Sequence, residues 1–294
     1  MHELFLMAVM PDADLERAQA LLQGLSGMTA QRSLHRVMFY AGPPQPRGLA
    51  IKRLNPAPSQ QRLWADLHQQ MTRSSFILQA RYAIKPEDLG QQQQQNQSQP
   101  LLNASIASGS IPGMLRWQDL PDPTSSSNAV GILRLTTQRK KIDIPELRNL
   151  PTLLAENNYQ FKSEMIEESI TFFNNGTEYA LVRYHRLPGV VSAPTEQAPQ
   201  GAPVPLTALP SWDELRSPGL CLDPSGQWLL FVRRHVVEDT SPEKMKKALE
   251  LLDGAHTQLT GVFEFRAVDR RAHDTRIERP LNNMPAPLPQ KIRA

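Results

Sequence analysis

The residues best equipped for chemistry are three glutamates in the span from Tyr159 to Phe173, namely Glu164, Glu167 and Glu168. On an extended chain Glu164 and Glu168 share a face. Inside a barrel, such a pair could hold a divalent cation for phosphoryl hydrolysis. The first strand should then supply a second acidic set, and it offers only Glu3. The competing expectation leaves the glutamates solvated, or paired with Arg183 and Arg186 on the following strand. Arg183, His185, Arg233, Arg234 and His235 place positive charge on two strands, facing an acidic partner, a lumen or water. Arg139, Lys140 and Lys141 read as a solvated strand tip in preference to a phosphate or nuclear-import signal. Cys221, between Leu220 and Leu222, reads as an inert small hydrophobe. His68 lies beside an apolar helical stripe and reads as a packed or surface residue. The sequence has no Gly-rich phosphate loop, nucleophile elbow or helical metal-type His pair. No catalytic residue, metal or cofactor is expected.

The elements that must position these groups are mostly strands. Met1 to Val9 is apolar on both faces, as befits a strand covered on two sides. A helix follows, with Asp12 as its expected N-cap and Leu15, Ala18, Leu21, Leu22 and Leu25 as its apolar stripe, ending at Gly27. Further strands are expected at Ser33 to Tyr40, Leu49 to Arg53, Phe76 to Ile84, Met114 to Leu120 and Val130 to Ile144. A helix is expected from Ser59 to Thr72, and a two-part helix broken at Pro151 over Ile142 to Asn157. Tyr159 to Phe173 and Glu178 to Leu187, joined through Asn174-Asn175-Gly176, form a β-hairpin, because Asn-Gly adopts positive φ cheaply. The length of its first strand favours a curved, barrel-like sheet. Another strand spans Gln227 to Glu238, and a helix with a Thr240/Glu243 capping box runs to Gly254. In the stretch His256 to Ile277 the alternation of Leu259, Gly261, Phe263, Phe265 and Ala267 predicts a last strand that closes the sheet.

The 26 prolines cluster and, with a glutamine run, pull down the mean hydropathy of −0.43, so the folded part is more apolar than the average. Residues 85–112 and 189–210 are expected to be disordered loops interrupting a single domain over 1–277, with a flexible tail over 278–294. A net charge of +3 is too small to mark a dedicated nucleic-acid binder. One cysteine excludes an internal disulfide, which fits a reducing compartment. The N-terminal apolar run is too short for a signal peptide, and nothing approaches a membrane span.

Several segments resemble Mediator subunit 18 in its filamentous-fungal form. They are the opening MHELFL, Gly42-Pro43-Pro44-Gln45-Pro46-Arg47-Gly48-Leu49, the helix from Pro242 to Gly254, and Leu259-Thr260-Gly261-Val262 running on to Asp269, Arg270, Arg271, Asp274, Thr275 and Arg276. The resemblance implies a mainly β, α+β fold: a closed or nearly closed antiparallel β-barrel with flanking helices, similar to the tunnel of metal-dependent RNA triphosphatases. It implies a nuclear, non-enzymatic transcription coregulator in the Mediator head module, bridging regulators and RNA polymerase II. It also implies a heterodimer with subunit 20 and capture of the C-terminal helix of subunit 8. Trp228, Phe231, Phe263 and Phe265 are the expected partner-binding aromatics. The charged run from Asp269 to Arg276 is the expected polar seam that fixes the chain after barrel closure.

Overall fold

The computed structural model describes residues 1–45, 47–49, 58–73, 75–90, 102–123, 135–187, 203–217, 219–237 and 241–268. Its strands are β1 (His2–Met10), β2 (Gln31–Ala41), β3 (Ile77–Ile84), β4 (Gly113–Gln118), β5 (Asp122–Pro123), β6 (Thr137–Leu147), β7 (Gln160–Asn174), β8 (Thr177–Arg186), β9 (Trp228–Val236) and β10 (Phe265–Arg266). The helices are α1 (Leu15–Ser26), α2 (Gln61–Gln70), α3 (Leu102–Ala107), α4 (Leu150–Glu156), α5 (Trp212–Leu215) and α6 (Pro242–Leu259).

Eight strands close into an antiparallel barrel in the order β1-β9-β8-β7-β2-β3-β4-β6, with β6 returning to β1. The barrel expectation is therefore met, but the closing strand is a different one. Closure is made by β6, whose Thr137 to Lys140 pair with Phe5 to His2. The stretch expected to close it begins inside a helix: His256 to Leu259 are the last turn of α6. The buried positions Ala248, Leu252, Ala255 and Leu259 carry α6 straight through Gly254. A mid-helix glycine costs about 1 kcal/mol relative to alanine, less than burying the next turn contributes, since Leu259 alone is worth roughly 2 kcal/mol. The helix stops at Gly261, whose φ is +86°. What remains of the predicted strand is β10, which pairs Phe265 and Arg266 with Ala8 and Met7 beyond the point where β6 leaves β1.

The hairpin is as expected: β7 and β8 are joined by Asn175 and Gly176 at φ +48° and +74°. Residues Ile142 to Leu147 belong to β6 and not to a helix, because Ile142 and Ile144 face one core while Asp143 faces Arg116 on the opposite side of the strand. The helix begins only at Leu150. Asp12 does not cap α1; its carboxylate accepts from Trp228 Nε1 at 2.7 Å and Arg183 Nη1 at 3.0 Å. The N-cap of α6 is Ser241, and Thr240 lies outside the described residues. Of Leu49 to Arg53, only Leu49 is described.

Both expected loops carry structure at their described ends. Within 85–112, α3 buries Leu102 and Ile106. Within 189–210, the described part from Pro203 leads into a strap that buries Leu209 and Leu215. Neither apolar pair shows a period long enough to be read from sequence.

Two apolar cores cover the outside of the barrel. One packs α2, α3, α4 and the strap onto β2, β3, β4 and β6, with Trp64, Trp117 and Tyr82 at 1% exposure or less. The other packs α1 and α6 onto β1, β7, β8 and β9, around Phe172 and Trp228. Strand alternation leaves the remaining side chains pointing into the lumen.

Candidate functional site

The register fixes what faces inward. Glu3 and Phe5 of β1 stand beside Arg139 and Thr137 of β6, and Asp143 and Lys141 of β6 beside Arg116 and Gln118 of β4. Across β3 and β2, Arg81 and His35 lead to Glu167 of β7, Tyr184 of β8, and then Glu178, Arg233 and His235 of β8 and β9.

These charges are paired. Arg81 donates from Nη2 and Nη1 to the two oxygens of Glu167 at 2.6 and 3.2 Å, and Arg116 grips Asp143 through Nε and Nη2 at 2.7 and 2.9 Å. Glu178 accepts from Arg233 Nη1 at 2.7 Å and contacts His235 Nε2 at 3.0 Å. Glu3, only 1% exposed, accepts from Arg139 and has Lys141 and Arg233 at 3.6 and 3.9 Å. Burial opposes ionisation of each carboxyl, yet the surrounding cations win. Arg81, with help from Arg116 and Arg233, brings Glu167 down to about 2, and Arg233 and His235 bring Glu178 to about 2. Glu3 is held well below the usual carboxylate range by Arg139, Lys141 and Arg233. Burial lowers Lys141 and, with Arg81, His35, while burial and Glu167 push the Tyr184 phenol up to about 12.

Beside this network the lumen holds a small apolar cluster. Phe5 and Phe231 meet edge to face at 5.9 Å, joined by Ala180, Val182 and Val268. Arg139 lies 4.9 Å over the Phe5 ring and Arg233 4.5 Å over Phe231, so these two cations neutralise lumen acids and also stack on the aromatic pair.

On the outside, a second buried network holds the strap. Arg36 donates from Nε to Glu164 Oε2 at 2.7 Å and from Nη2 to the Leu206 carbonyl at 2.8 Å, while the Leu206 N–H donates to Glu164 Oε1 at 2.7 Å. Both ends of one peptide residue are thus gripped by one ion pair. Further along, Glu168 accepts from Arg183 Nε and Nη2 at 3.2 and 2.9 Å, and His185 donates from Nδ1 to the Leu215 carbonyl at 2.8 Å. Burial opposes the charge of Glu168, and His185 and Arg183 hold its carboxyl below the ordinary value.

A family model described as Med18 protein matches residues 2–276. The chain belongs to the Med18 family. Family membership makes it a Mediator protein serving transcription regulation. A search of curated protein sequences gave no match. Among solved structures, a chain of the Schizosaccharomyces pombe Mediator head module is similar at a TM-score of 0.52 and 15% identity, over 91% of this chain and 99% of that one. At that identity the likeness concerns the fold. A Pyrococcus horikoshii OT3 protein matches at TM-score 0.38 and 9% identity, and a conserved hypothetical protein from Pyrococcus furiosus at 0.35 and 7%, each over 89% of this chain and 94% of its own.

For this Med18-family chain, Glu164 and Glu168 do share a face, but that face is the outside of the barrel, where Arg36 and Arg183 neutralise them. Glu167 is the member that faces the lumen, and Arg81 occupies it. Arg183 pairs with Glu168 in register, whereas Arg186 lies opposite Met165. Among the charges whose direction sequence left open, Arg233 and His235 point inward, and Arg183, His185 and Arg234 outward. Arg139 to Lys141 is not a strand tip: Arg139 and Lys141 enter the lumen, and Lys140 reaches Asp66 of α2 at 2.9 Å. His68 is an exposed surface residue whose Nδ1 lies 2.9 Å from the Leu49 carbonyl.

The four expected partner-binding aromatics are largely inside the monomer. Trp228 is 0% exposed under α1 and α6, Phe231 lines the lumen and Phe263 packs into the outer core. Phe265 is half-buried against His256, with ring centroids 5.2 Å apart. The expected polar seam, Asp269, Arg270, Arg271, Asp274, Thr275 and Arg276, lies outside the described residues. Sequence reasoning missed Arg81, Arg116, Asp143 and Glu178 as a set. A signal was present for three of them: Arg81, Arg116 and Asp143 each stand between two buried apolar residues of a strand.

Proposed function

We infer that the chain is a non-enzymatic coregulator subunit of the Mediator head module, acting in the nucleus and linking regulators to RNA polymerase II by protein contacts. The observation that carries this reading is the family-model match, which runs from Glu3 in the lumen network through all ten strands. The barrel interior supports it, because every lumen carboxylate named above already has a cationic partner and none is left to hold a metal ion. Among the described residues, no group of three or more His, Cys, Asp or Glu is arranged to hold one. The competing reading, a metal-dependent tunnel triphosphatase using Glu164 and Glu168, has those residues on the wrong side of the barrel wall.

Within the module we propose that the chain pairs with subunit 20 and takes the C-terminal helix of subunit 8. Of the four expected contact aromatics, Phe265 retains exposed ring surface and is the one whose replacement should weaken a contact without emptying the core. Asp269 to Arg276 are proposed as the polar seam that fixes the chain end. Co-expression with subunit 20, followed by size-exclusion chromatography with mass measurement, should give a one-to-one complex. A stable monomer indifferent to subunit 20 would remove that pairing.

A further inference from the structure

We propose that the groove between β2, the C-terminal end of β3 and α5 is a docking site for an acidic peptide segment with an apolar anchor residue. The proposal rests on the adaptor reading above and names a site and a ligand chemistry for it.

The groove has a volume of about 470 Å³ and runs along the outer barrel wall between the two helix-covered cores. Its apolar lining is Leu34, Ile84, Ile170 and Trp212, and its two serines, Ser33 and Ser169, bond to each other at 2.8 Å. Its cations come from three separate elements: Arg32 from β2, Lys85 from the residue after β3, and Arg216 from the residue after α5. Among the described residues none of the three makes an ion pair. Arg32 donates to the neutral Gln19 amide at 3.0 Å, and Arg216 lies 5.0 Å over the Trp212 ring. The one acid lining the groove, Glu168, is consumed by Arg183 and His185 beneath it. Two acids close by in sequence are engaged in capping hydrogen bonds: Asp88 accepts the Lys85 N–H at 2.8 Å, and Glu214 accepts from Ser211 N and Oγ at 2.7 and 2.9 Å. Apolar side chains flanked by three cations that make no ion pair complement a segment in which carboxylates flank a buried leucine or aromatic side chain.

The site is preformed. Its α5 wall is fixed by Leu215 at 0% exposure, by the His185 to Leu215 hydrogen bond, and by the Gly90 N–H donating to the Leu209 carbonyl at 3.1 Å. A groove whose wall is already ordered loses little entropy when a segment enters it. Arg32, Lys85 and Arg216 are themselves exposed, so reversing their charge leaves both cores untouched.

The test is fluorescence anisotropy on the full chain, or on its complex with subunit 20, using a short fluorescein-labelled peptide in which Asp and Glu flank Leu and Phe. The wild-type chain should bind it with a Kd in roughly the micromolar range, and the double variant Lys85→Glu/Arg216→Glu about tenfold more weakly. Changing the peptide's Leu and Phe to Ala, or its acids to Lys, should abolish binding. No binding by the wild-type chain, equal binding by the double variant, or equal binding of the Ala peptide would each overturn the proposal. The same double variant is scored for complex formation with subunit 20. If the chain assembles but no peptide binds, the groove assignment falls and the adaptor reading stands. If the peptide binds through the groove but no Mediator partner does, the adaptor reading falls instead.

Discussion

Arg81 and Glu167 meet across the barrel lumen over an intervening strand, with Nη2 of the arginine 2.6 Å from Oε1 of the glutamate. Arg81 is on β3 and Glu167 on β7; across the intervening β2, Glu167 lies opposite His35 and Arg81 opposite Val37, two residues further along. The pair therefore ties three strands at once. Removing one partner of a buried pair strands the other, at about 3 kcal/mol. Arg81→Met should lower stability by about that amount, and adding Glu167→Gln in the same chain should recover part of the loss, since the two changes couple. Urea unfolding midpoints of the two variants measure this.

Acid should unfold the protein in two stages. His35 has its pKa lowered by burial and Arg81, so the folded state binds its proton less readily than the unfolded state does. Its contribution is present above the unfolded value of 6.5 and declines as pH falls below it. Glu167 and Glu178 sit at about 2 instead of 4.5, so their contribution is complete above 4.5 and is lost between there and 2. Each is worth on the order of 3 kcal/mol. Stability measured from pH 8 to pH 3 should be level above 7, fall gently through 6, and fall steeply below 4.5. His35→Phe should remove the first stage and leave the second.

Asp12 should behave as a fastener and not as a helix cap. It joins Trp228 Nε1 to Arg183, which stacks 4.4 Å over the Trp228 ring. Asp12→Ala should cost about 1–2 kcal/mol through an unpartnered indole N–H and a weakened guanidinium contact. Helicity of α1, followed by hydrogen exchange, should change less than protection of β9.

The barrel was legible in the sequence where its determinants are local. Asn175-Gly176 dictates its hairpin, and the doubly apolar β1 announces a strand covered on both faces. The closing strand was not legible. Leu259, Phe263 and Phe265 satisfy a two-residue period, while Ala248, Leu252, Ala255 and Leu259 satisfy a helical one, and burial against β1 and β9 decides between them. The site was half legible. Glu164, Glu167 and Glu168 drew notice, but which face looks inward depends on the β2–β7 and β7–β8 registers. Arg36 finds Glu164 over a separation of 128 residues, and nothing near either residue signals it.

The strap should come loose when its ion pair is cut. Arg36 and Glu164 are 1% and 3% exposed and hold Leu206 by both its N–H and its carbonyl. Arg36→Met should leave Glu164 buried and unpaired, at about 3 kcal/mol locally. Limited proteolysis should then cut between residues 203 and 210 at least tenfold faster than in the wild type. Cleavage elsewhere should be little changed.

The central claim is that this chain is a Mediator head subunit built on a barrel whose charges are structural. It is tested most directly by isolating the tagged chain from nuclear extract and quantifying the other head-module subunits by mass spectrometry. The account predicts recovery of those subunits in near-equal amounts with the wild-type chain. It predicts the same recovery with Glu168→Gln, which removes one carboxylate of the proposed metal pair while keeping a hydrogen-bond acceptor for Arg183. Recovery of the tagged chain without head-module subunits, or manganese-dependent triphosphate hydrolysis that Glu168→Gln abolishes, would contradict it.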